Sequence, residues 1–467
     1  MTKRFSVDKA DKGLQLFYFM VAIGTLLVMW LMFEFKDLDS LTAWSINIWD
    51  LIFDKEMGLK DFYEYTSWNV YGVVHQYCQG NYLWLIPLSI WNLPLWIITK
   101  AFHITLIGNP FCIAWSKLYM IGIHLAMAYV VYRICEKLGK KSVLAPLLVL
   151  AAPEILISAG YAGQDEVAYV FSLLLGIYFL MKERRKLSYL FLVISVSFCP
   201  IMILPVTAVI LYHEKRIGRI ILQEAGLLLP LFLFELCYRN DAIYPIVKKS
   251  YTIGSVVEQM FPVSIVQTAM GATPLSIVLC IGVLFFCYTR KKQDQREFLY
   301  IITAMVMIIS FLMDNYFYRT FIYVPFLVIV ICGIFPLTNM KAFLFTLLTY
   351  CRTFWCLTVG VENNMNTAYI MRNSWVSRIC ERFGSDRNSL YTCKNFLMYI
   401  EQSVPVWIHW MVAAIAVSCA LILLYMSNYN KEKDYELTLD YRVSILAYVF
   451  CMPIVLLLFW MMLLKVF

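Results

Sequence analysis

The chain has 467 residues, of which 61% are hydrophobic and only 15% are charged, and its mean hydropathy is +0.70. Soluble domains average roughly 45–50% apolar and about 25% charged residues, so this composition excludes soluble, secreted and disordered proteins. Lipid must cover the apolar surface, which predicts an all-α polytopic membrane protein with one domain, residues 1–467. The net charge of +8 indicates basic cytoplasmic loops rather than a nucleic-acid partner.

Apolar segments recur along the whole chain and are separated by polar stretches. A helix needs about 20 residues to cross ~30 Å of hydrocarbon, and several of these segments are shorter. We therefore expect about 11–13 membrane helices. The segments lie at residues 14–33, 82–98, 113–132, 143–160, 167–181, 187–212, 220–238, 270–289, 298–313, 320–337, 342–360, 406–426 and 444–464.

Clusters of Lys and Arg indicate the orientation, because the cytoplasmic loops of membrane proteins carry an excess of these residues. All the clusters can face the cytoplasm only under two conditions. Segment 82–98 must lie flat or re-enter, and segment 187–212 must dip in and return, broken at Cys199-Pro200. The clusters lie at residues 133–141, 182–186, 215–219, 290–296 and 431–442.

With this orientation, four polar stretches share the outer face, at residues 34–81, 161–166, 314–319 and 361–405. Residues 38–53 have the periodicity of an amphipathic helix that lies at the membrane interface. We therefore expect the first outer loop to carry juxtamembrane helices. The apolar face of this first helix would consist of Leu41, Trp44, Ile48 and Leu51.

Two acids, Asp37 and Asp39, follow the first apolar segment, and Trp44 comes seven residues after Asp37. A lipid-linked substrate would present its phosphate-bearing head group at this depth. A carboxylate there could take a proton from an attacking hydroxyl, which is the task of a general base. The alternative is a solvated acidic loop in which Trp44 and Trp49 anchor the chain at the interface.

A second polar tract, Gln164-Asp165-Glu166, directly precedes an apolar segment. Ionisable groups beside membrane spans are costly and are therefore functional candidates, here for substrate binding next to Asp37. The alternative is that the two acids only cap the following helix.

Arginines occur in the last two outer stretches. Tyr316 and Arg319 lie in a short polar turn, and Arg372 and Arg378 lie in the loop 361–405. The planar guanidinium group suits bidentate binding of phosphate. The alternatives are a hairpin whose Arg reaches the lipid head groups, and a passive cap over the outer face.

No grouping of Cys and His predicts a metal site. The sequence also lacks the P-loop, the dinucleotide-binding glycine motif and the common hydrolase motifs. The sequence therefore gives no indication of ATP-driven transport or of dinucleotide-dependent redox chemistry. We predict no cofactor, and no motif indicates a divalent metal, although its use stays open.

The order of several features is familiar. An acid ends the first helix, Trp44 follows, then come a stretch from Gly58 to Tyr63, a Tyr-rich helix entry at Tyr82 and the tract that begins with Gly163. This order resembles the polytopic GT-C-type glycosyltransferases, in particular their bacterial mannosyltransferase-like branch. The resemblance covers roughly residues 10–215. It implies a motif-bearing core at 1–215 and more variable helices at 216–467.

The resemblance implies a GT-C-like fold and a membrane hexosyl- or mannosyltransferase. The donor would be a polyprenyl-phosphate-linked sugar, the acceptor a glycan, lipid or protein, and the transfer would take place on the outer face with inversion. Asp37 would act as the catalytic base, with Asp39 as the near alternative, and Arg319 would hold the donor phosphate. We predict a substrate site formed by Trp44, Tyr82, Gln164, Asp165, Glu166, Tyr316, Arg319, Arg372 and Arg378.

The sequence departs from the family pattern at two places. Gly80-Asn81 replaces a pair of prolines, and Cys199 replaces a Lys often found in the broken helix. Two alternatives therefore stay open. One is a transporter or flippase of lipid-linked sugars, which would need charged residues inside several spans, such as Glu235 or His124. The other is an inactive scaffold subunit.

No N-x-[ST] sequon occurs in the chain. This fits a bacterial envelope protein better than one of the endoplasmic reticulum. We therefore expect a multi-pass protein of the bacterial plasma membrane, in contact with membrane lipids.

Overall fold

In a computed structural model, the chain is predominantly helical. Two short antiparallel strand pairs accompany the helices. The structure describes residues 9–53, 56–67, 78, 81–104, 106, 109–140, 142–163, 166–247, 264–268, 271–291, 294–313, 317–335, 337–358, 368–370, 403–427 and 440–463.

Every apolar segment predicted from the sequence overlaps a helix. The first half of the chain contains α1 (Lys9–Met32), α2 (Lys36–Phe53), α3 (Phe62–Ser67), α4 (Leu85–Phe102), α5 (Pro110–Lys137), α6 (Leu144–Leu150), α7 (Pro153–Ile155), α8 (Glu166–Met181), α9 (Arg185–Phe198) and α10 (Ile203–His213). The second half contains α11 (Ile217–Tyr238), α12 (Tyr244–Val247), α13 (Leu275–Thr289), α14 (Gln295–Ile308), α15 (Val324–Val328), α16 (Asn339–Thr358), α17 (Val406–Met426) and α18 (Tyr441–Leu463).

Three of these helices continue as π-helices, in which each turn is wider than in an α-helix. Helix α7 continues over Leu156–Ala162, α14 over Ile309–Met313 and α15 over Ile329–Ile334. A 3-10 turn over Phe317–Tyr323 precedes α15. The strands are β1 (Phe33–Phe35), β2 (Ser264–Thr268), β3 (Gly271–Pro274) and β4 (Ala368–Ile370).

Six helical stretches within the described residues are long and apolar enough to cross a membrane, and five shorter apolar helices accompany them. Large apolar side chains on the outer helices are exposed, among them Leu222 at 72% and Phe285 at 68%. Lipid covers such surfaces, so the chain is a multi-pass helical membrane protein. The six stretches are Gly13–Leu31, Tyr82–Phe102, Phe111–Lys137, Ile217–Tyr238, Gln295–Leu312 and Val406–Met426.

The loops after α5, α8, α10 and α13 lie together at one end of the bundle, which we call the basic end. Arg133 at the end of α5 is hydrogen-bonded to Tyr178 near the end of α8. Lys182 Nζ lies 4.6 Å from the centroid of the Tyr178 ring. Lys215, after α10, donates to the carbonyl oxygen of Cys287 near the end of α13.

Segment 187–212 enters from the basic end and returns to it, as predicted. Helix α9 ends before Cys199, whose extended backbone suits a residue that precedes proline, and a 3-10 turn over Pro200–Met202 leads into α10. The hydroxyl of Tyr189, early in α9, donates to the carbonyl oxygen of Gln223, early in α11, at 2.6 Å. Because α11 begins directly after α10, helices α9 and α10 form a hairpin.

Helix α4 packs against the start of α5, and the flat or re-entrant path expected for segment 82–98 stays a prediction. Trp91 in its middle stacks on Trp115, near the start of α5, with ring centroids 5.3 Å apart. Towards the end of α4, Leu95 packs in one apolar cluster with Cys112, which also lies at the start of α5. Because α5 ends at the basic end, its start lies at the other end of the bundle, which we call the opposite end.

Helix α2 also lies at the opposite end, and its predicted apolar face is buried. The polar face is buried as well, which differs from the expected interfacial helix. Asn92 of α4 donates to Ser45 Oγ at 2.8 Å, and Ser116 of α5 donates to Asn92 at 3.3 Å. Helix α4 therefore covers the polar face of α2, which the amphipathic pattern predicts to face water and lipid head groups.

Candidate functional site

Gly163 brings the first two predicted tracts together. It follows the π-helix Leu156–Ala162 with φ +61°, a conformation that favours glycine. A Cβ built on it would lie 3.1 Å from Leu38 Cδ2 and 3.1 Å from Lys117 Cγ. Leu38 stands between the two predicted catalytic acids in the first turn of α2. The Gly163 tract therefore begins directly against that turn.

The described parts of the other two tracts reach the same π-helix. Strand β4, inside the loop 361–405, pairs antiparallel with β1, which immediately precedes α2. Strand β1 packs against Leu156–Ala162, and the 3-10 turn over Phe317–Tyr323 packs there too. The backbones of all four predicted outer stretches therefore converge around Leu156–Ala162 at the opposite end.

Three predicted site residues are described with their side chains. Asp39 is half-buried and close enough to Cys112 to interact electrostatically, Trp44 is buried in the main apolar core, and Tyr82 is buried. Only the backbone is described for Asp37, Glu166 and Arg319, each at or near the start of a helix or turn. Gln164, Asp165, Tyr316, Arg372 and Arg378 lie outside the described residues.

Tyr82 lies in the 3-10 turn Tyr82–Trp84 and belongs to an aromatic cluster that joins this turn, directly before α4, to α3, α11 and α12. Its hydroxyl lies 2.9 Å from that of Tyr238, which donates to the carbonyl oxygen of Leu59. Tyr63 and Tyr244 pack beside them, with ring centroids 5.0 Å apart. Burial raises the pKa of both Tyr63 and Tyr244 above the ordinary range, so both stay neutral hydrogen-bond donors. The cluster fixes the first outer loop against α11.

A buried acid, Glu154 of α7, lies in the same helical segment that the tracts surround. Its Oε1 accepts a hydrogen bond from the hydroxyl of Tyr323 at 2.8 Å. Its Oε2 is buried and has no hydrogen-bond partner within the described residues. Ser158 lies four positions on, roughly on the same face, and its Oγ is likewise buried without a partner in the described part of the chain.

Arg352 of α16 faces this acid and is fully buried. Its Nη2 donates to the carbonyl oxygen of Ser310, and its guanidinium carbon lies 4.4 Å and 4.7 Å from the ring centroids of Phe311 and Trp355. Nε and Nη1 have no partner among the residues described. Arg352 interacts electrostatically with Glu154, yet no ion pair joins the two in the described structure. The two charges are therefore neighbours without contact.

Lys117 supplies a second buried cation, on the other side of the π-helix. Its Nζ donates to the carbonyl oxygen of Met29 at 2.8 Å. Because its side chain touches Gly163, it lies beside the turn that carries Asp37 and Asp39. Lys117 therefore brings a positively charged side chain next to the first turn of α2.

Sequence reasoning missed Lys117, Glu154 and Arg352 as site residues. Each is a single charge inside an apolar segment, and a charge in such a segment is costly unless it serves a function. That signal was present in the sequence. In the sequence alone it stands out little, because the outer loops hold many more charges than the apolar segments.

The described residues contain no group of three or more His, Cys, Asp or Glu side chains that could hold a metal ion. Comparisons with protein-family models, with curated proteins and with solved structures gave no match.

Proposed function

We propose that the chain is a membrane glycosyltransferase of the bacterial plasma membrane. It would move a sugar from a polyprenyl-phosphate donor to an envelope or lipid-linked acceptor at the opposite end. The convergence of the four outer stretches around Leu156–Ala162 carries this proposal. One-step transfer needs a base, sugar ligands and cations for the phosphate, and the sequences of these stretches contain all three residue types.

In the proposed reaction, Asp37 or Asp39 takes the proton of an acceptor hydroxyl. The hydroxyl oxygen attacks the anomeric carbon while the bond from that carbon to the phosphate oxygen breaks, which inverts the anomeric centre. The lipid phosphate leaves with the bonding electrons and needs no acid, because phosphate is already a good leaving group. Positioning and cationic stabilisation, with Lys117 and Arg319 as the candidate cations, would supply most of the rate.

The deciding assay measures transfer of radiolabelled sugar from polyprenyl-phosphate donors in membranes that carry each variant. Asp37→Asn keeps the size of the side chain but removes its ability to accept a proton. We expect a loss of roughly 10²–10⁴-fold, the usual contribution of a general base. Asp39→Asn should be milder. Glu64→Gln, an exposed acid of the same loop, is the matched control and should keep full activity. Full transfer by both aspartate variants would contradict the mechanism.

Transport of a lipid-linked sugar is the second candidate, and the buried charges favour it. Lys117, Glu154 and Arg352 lie inside apolar helices, as substrate-translocating proteins require. Reconstituted vesicles separate the two functions, because a flippase moves the intact lipid-linked sugar between leaflets and a transferase does not. A chain that does neither would be a scaffold subunit.

A further inference from the structure

The neighbourhood of Glu154 and Arg352 has an arrangement that a purely structural ion pair would not need. Buried charges in proteins are normally paired, because removing one from water is expensive. Here the helices of Glu154 and Arg352 pack together, and both Arg352 and Tyr323, the partner of Glu154, lie beside the ring of Phe311. The carboxylate and the guanidinium form no ion pair, and each leaves polar atoms without a partner within the described structure. The rings of Phe311 and Trp355 lie close to the guanidinium group, so its remaining hydrogen-bonding capacity lies at its edge.

We propose that Glu154, Ser158, Tyr323 and Arg352 form a buried subsite for neighbouring hydroxyl groups of a sugar. A group that bridges this carboxylate and this guanidinium must donate to Glu154 Oε2 and accept from Arg352. A hydroxyl does both, and two adjacent hydroxyls satisfy both residues at once. Tyr323 donates to Oε1, and Oε2 is the carboxylate oxygen that has no partner within the described residues. Ser158 Oγ offers one further donor or acceptor.

Charge favours a neutral sugar over an anion. The subsite contains one carboxylate and one guanidinium, so its formal charges cancel. An added phosphate would be repelled by Glu154 at close range in a medium of low dielectric constant. Neutral hydroxyls bring no such repulsion and still form charge-assisted hydrogen bonds with both partners.

The subsite is closed in this structure, and its surroundings provide a way to open it. Two π-helical stretches contribute to it: Leu156–Ala162 contains Ser158, and Ile309–Met313 contains Ser310, whose carbonyl oxygen accepts a hydrogen bond from Arg352. Such stretches are uncommon and occur frequently at functional sites. Rewinding one of them by a residue would shift the side chains that shield the unpaired atoms. The ligand would then supply the hydrogen bonds that these atoms lack.

This inference rests on the proposed function for its sugar, but its test measures binding separately from transfer. The probes are short-chain citronellyl-phosphate sugars carrying mannose, glucose or galactose, each with its 2-, 3- and 4-deoxy analogue. The methyl glycosides of the same sugars distinguish a free sugar from a lipid-linked one. Binding to the purified full chain is followed by the fluorescence of Trp355 and the other tryptophans.

We expect wild type to bind one of the sugars and to bind at least one of its deoxy analogues about tenfold more weakly. In Glu154→Gln and Arg352→Gln that preference should fall below about threefold, because the side chain that reads the hydroxyl has changed. A residue with only a structural role would lower affinity for all probes equally. Arg133→Gln, at the basic end, is the matched control and should keep the full preference.

Wild type that binds none of the sugars would overturn the inference, and so would variants that keep the deoxy preference. If Glu154→Gln or Arg352→Gln does not fold, the same ratio of affinities for the sugar and its deoxy analogue is measured in Ser158→Ala and Tyr323→Phe. Transfer activity with an unchanged preference in all the variants would refute this subsite and leave the proposed function intact. Sugar binding with the expected deoxy preference but without transfer would support this subsite and contradict the proposed transfer reaction.

Discussion

Tyr323 donates a 2.8 Å hydrogen bond to Glu154, across 169 residues of sequence. The bond joins the end of the 3-10 turn before α15 to the start of α7, and both groups are fully buried. It therefore fixes the position of two predicted outer stretches relative to each other, because α7 leads to Gly163 and the turn contains Arg319. A single hydrogen bond to a carboxylate is thus part of the frame of the candidate site.

Removing that donor should destabilise the protein. Tyr323→Phe removes the only side-chain donor that the described residues give to Glu154, and a lost hydrogen bond to a buried acceptor costs about 1–3 kcal/mol. We expect a lower free energy of unfolding, measured by denaturant titration in detergent. Tyr129→Phe removes a hydroxyl from an exposed tyrosine and should change stability by less than about 0.5 kcal/mol. Equal stability of the two variants would show that the bond contributes nothing.

Gly→Ala variants at three positions distinguish the energetic cost of backbone strain from the cost of steric contact. Gly163 has φ +61° and a crowded Cβ position, Gly139 has φ +84° with open space, and Gly218 lies in helix α11 with open space. Gly139→Ala should cost roughly 1–2 kcal/mol for the left-handed backbone. Gly163→Ala should cost more, because Leu38 and Lys117 must also move. Gly218→Ala should stabilise by up to about 1 kcal/mol.

Gly163→Ala and Gly139→Ala also test the candidate site. Displacement of Leu38 would shift the turn that carries Asp37 and Asp39, so Gly163→Ala should also reduce transfer. Gly139→Ala should not, because Gly139 lies at the basic end. Thermal unfolding and the sugar-transfer assay on one set of membranes give both results. Equal losses of transfer in the two variants would indicate general instability instead.

Asp50 should matter more for docking α2 on α4 than any other described acid of that helix. Its Oδ1 lies 2.8 Å from Lys100 Nζ and accepts a 2.7 Å bond from Trp96, and its Oδ2 accepts a 3.2 Å bond from Tyr65. Asp50→Ala should therefore destabilise by about 1–3 kcal/mol, because it leaves the half-buried indole donor of Trp96 and the hydroxyl of Tyr65 without their acceptor. Lys100→Met should cost less than about 1 kcal/mol, since Lys100 is half exposed. Similar losses in urea titrations of the two variants would contradict this ranking.

Much of the fold could be predicted from hydrophobicity and basic loops alone. The apolar segments mark the helices because lipid demands long apolar runs, and Cys199-Pro200 marks the hairpin turn because proline cannot continue a helix. These features depend on local sequence and on the membrane, which act on every segment separately.

The interior of the site could not be predicted in this way. Nothing in the periodicity of α2 shows that Asn92 of α4 covers its polar face, and nothing near Glu154 in sequence points to Tyr323 or Arg352. The pairing of β1 with β4 joins residues 33–35 to 368–370, and neither strand is longer than three residues. Such long-range contacts depend on how the helices pack, which a single sequence does not reveal.

Labelling with a membrane-impermeant maleimide tests the two ends directly. Lys60 and Arg184 are both exposed and lie at the opposite end and the basic end, respectively. Each is replaced by Cys in a chain whose Cys237, Cys380 and Cys393 are changed to Ser to lower the background. In intact bacterial cells, Lys60→Cys should react and Arg184→Cys should not, because basic loops face the cytoplasm. Permeabilising the membrane should make both react. Labelling of Arg184→Cys in intact cells, with Lys60→Cys protected, would reverse the orientation and place the proposed transfer site in the cytoplasm.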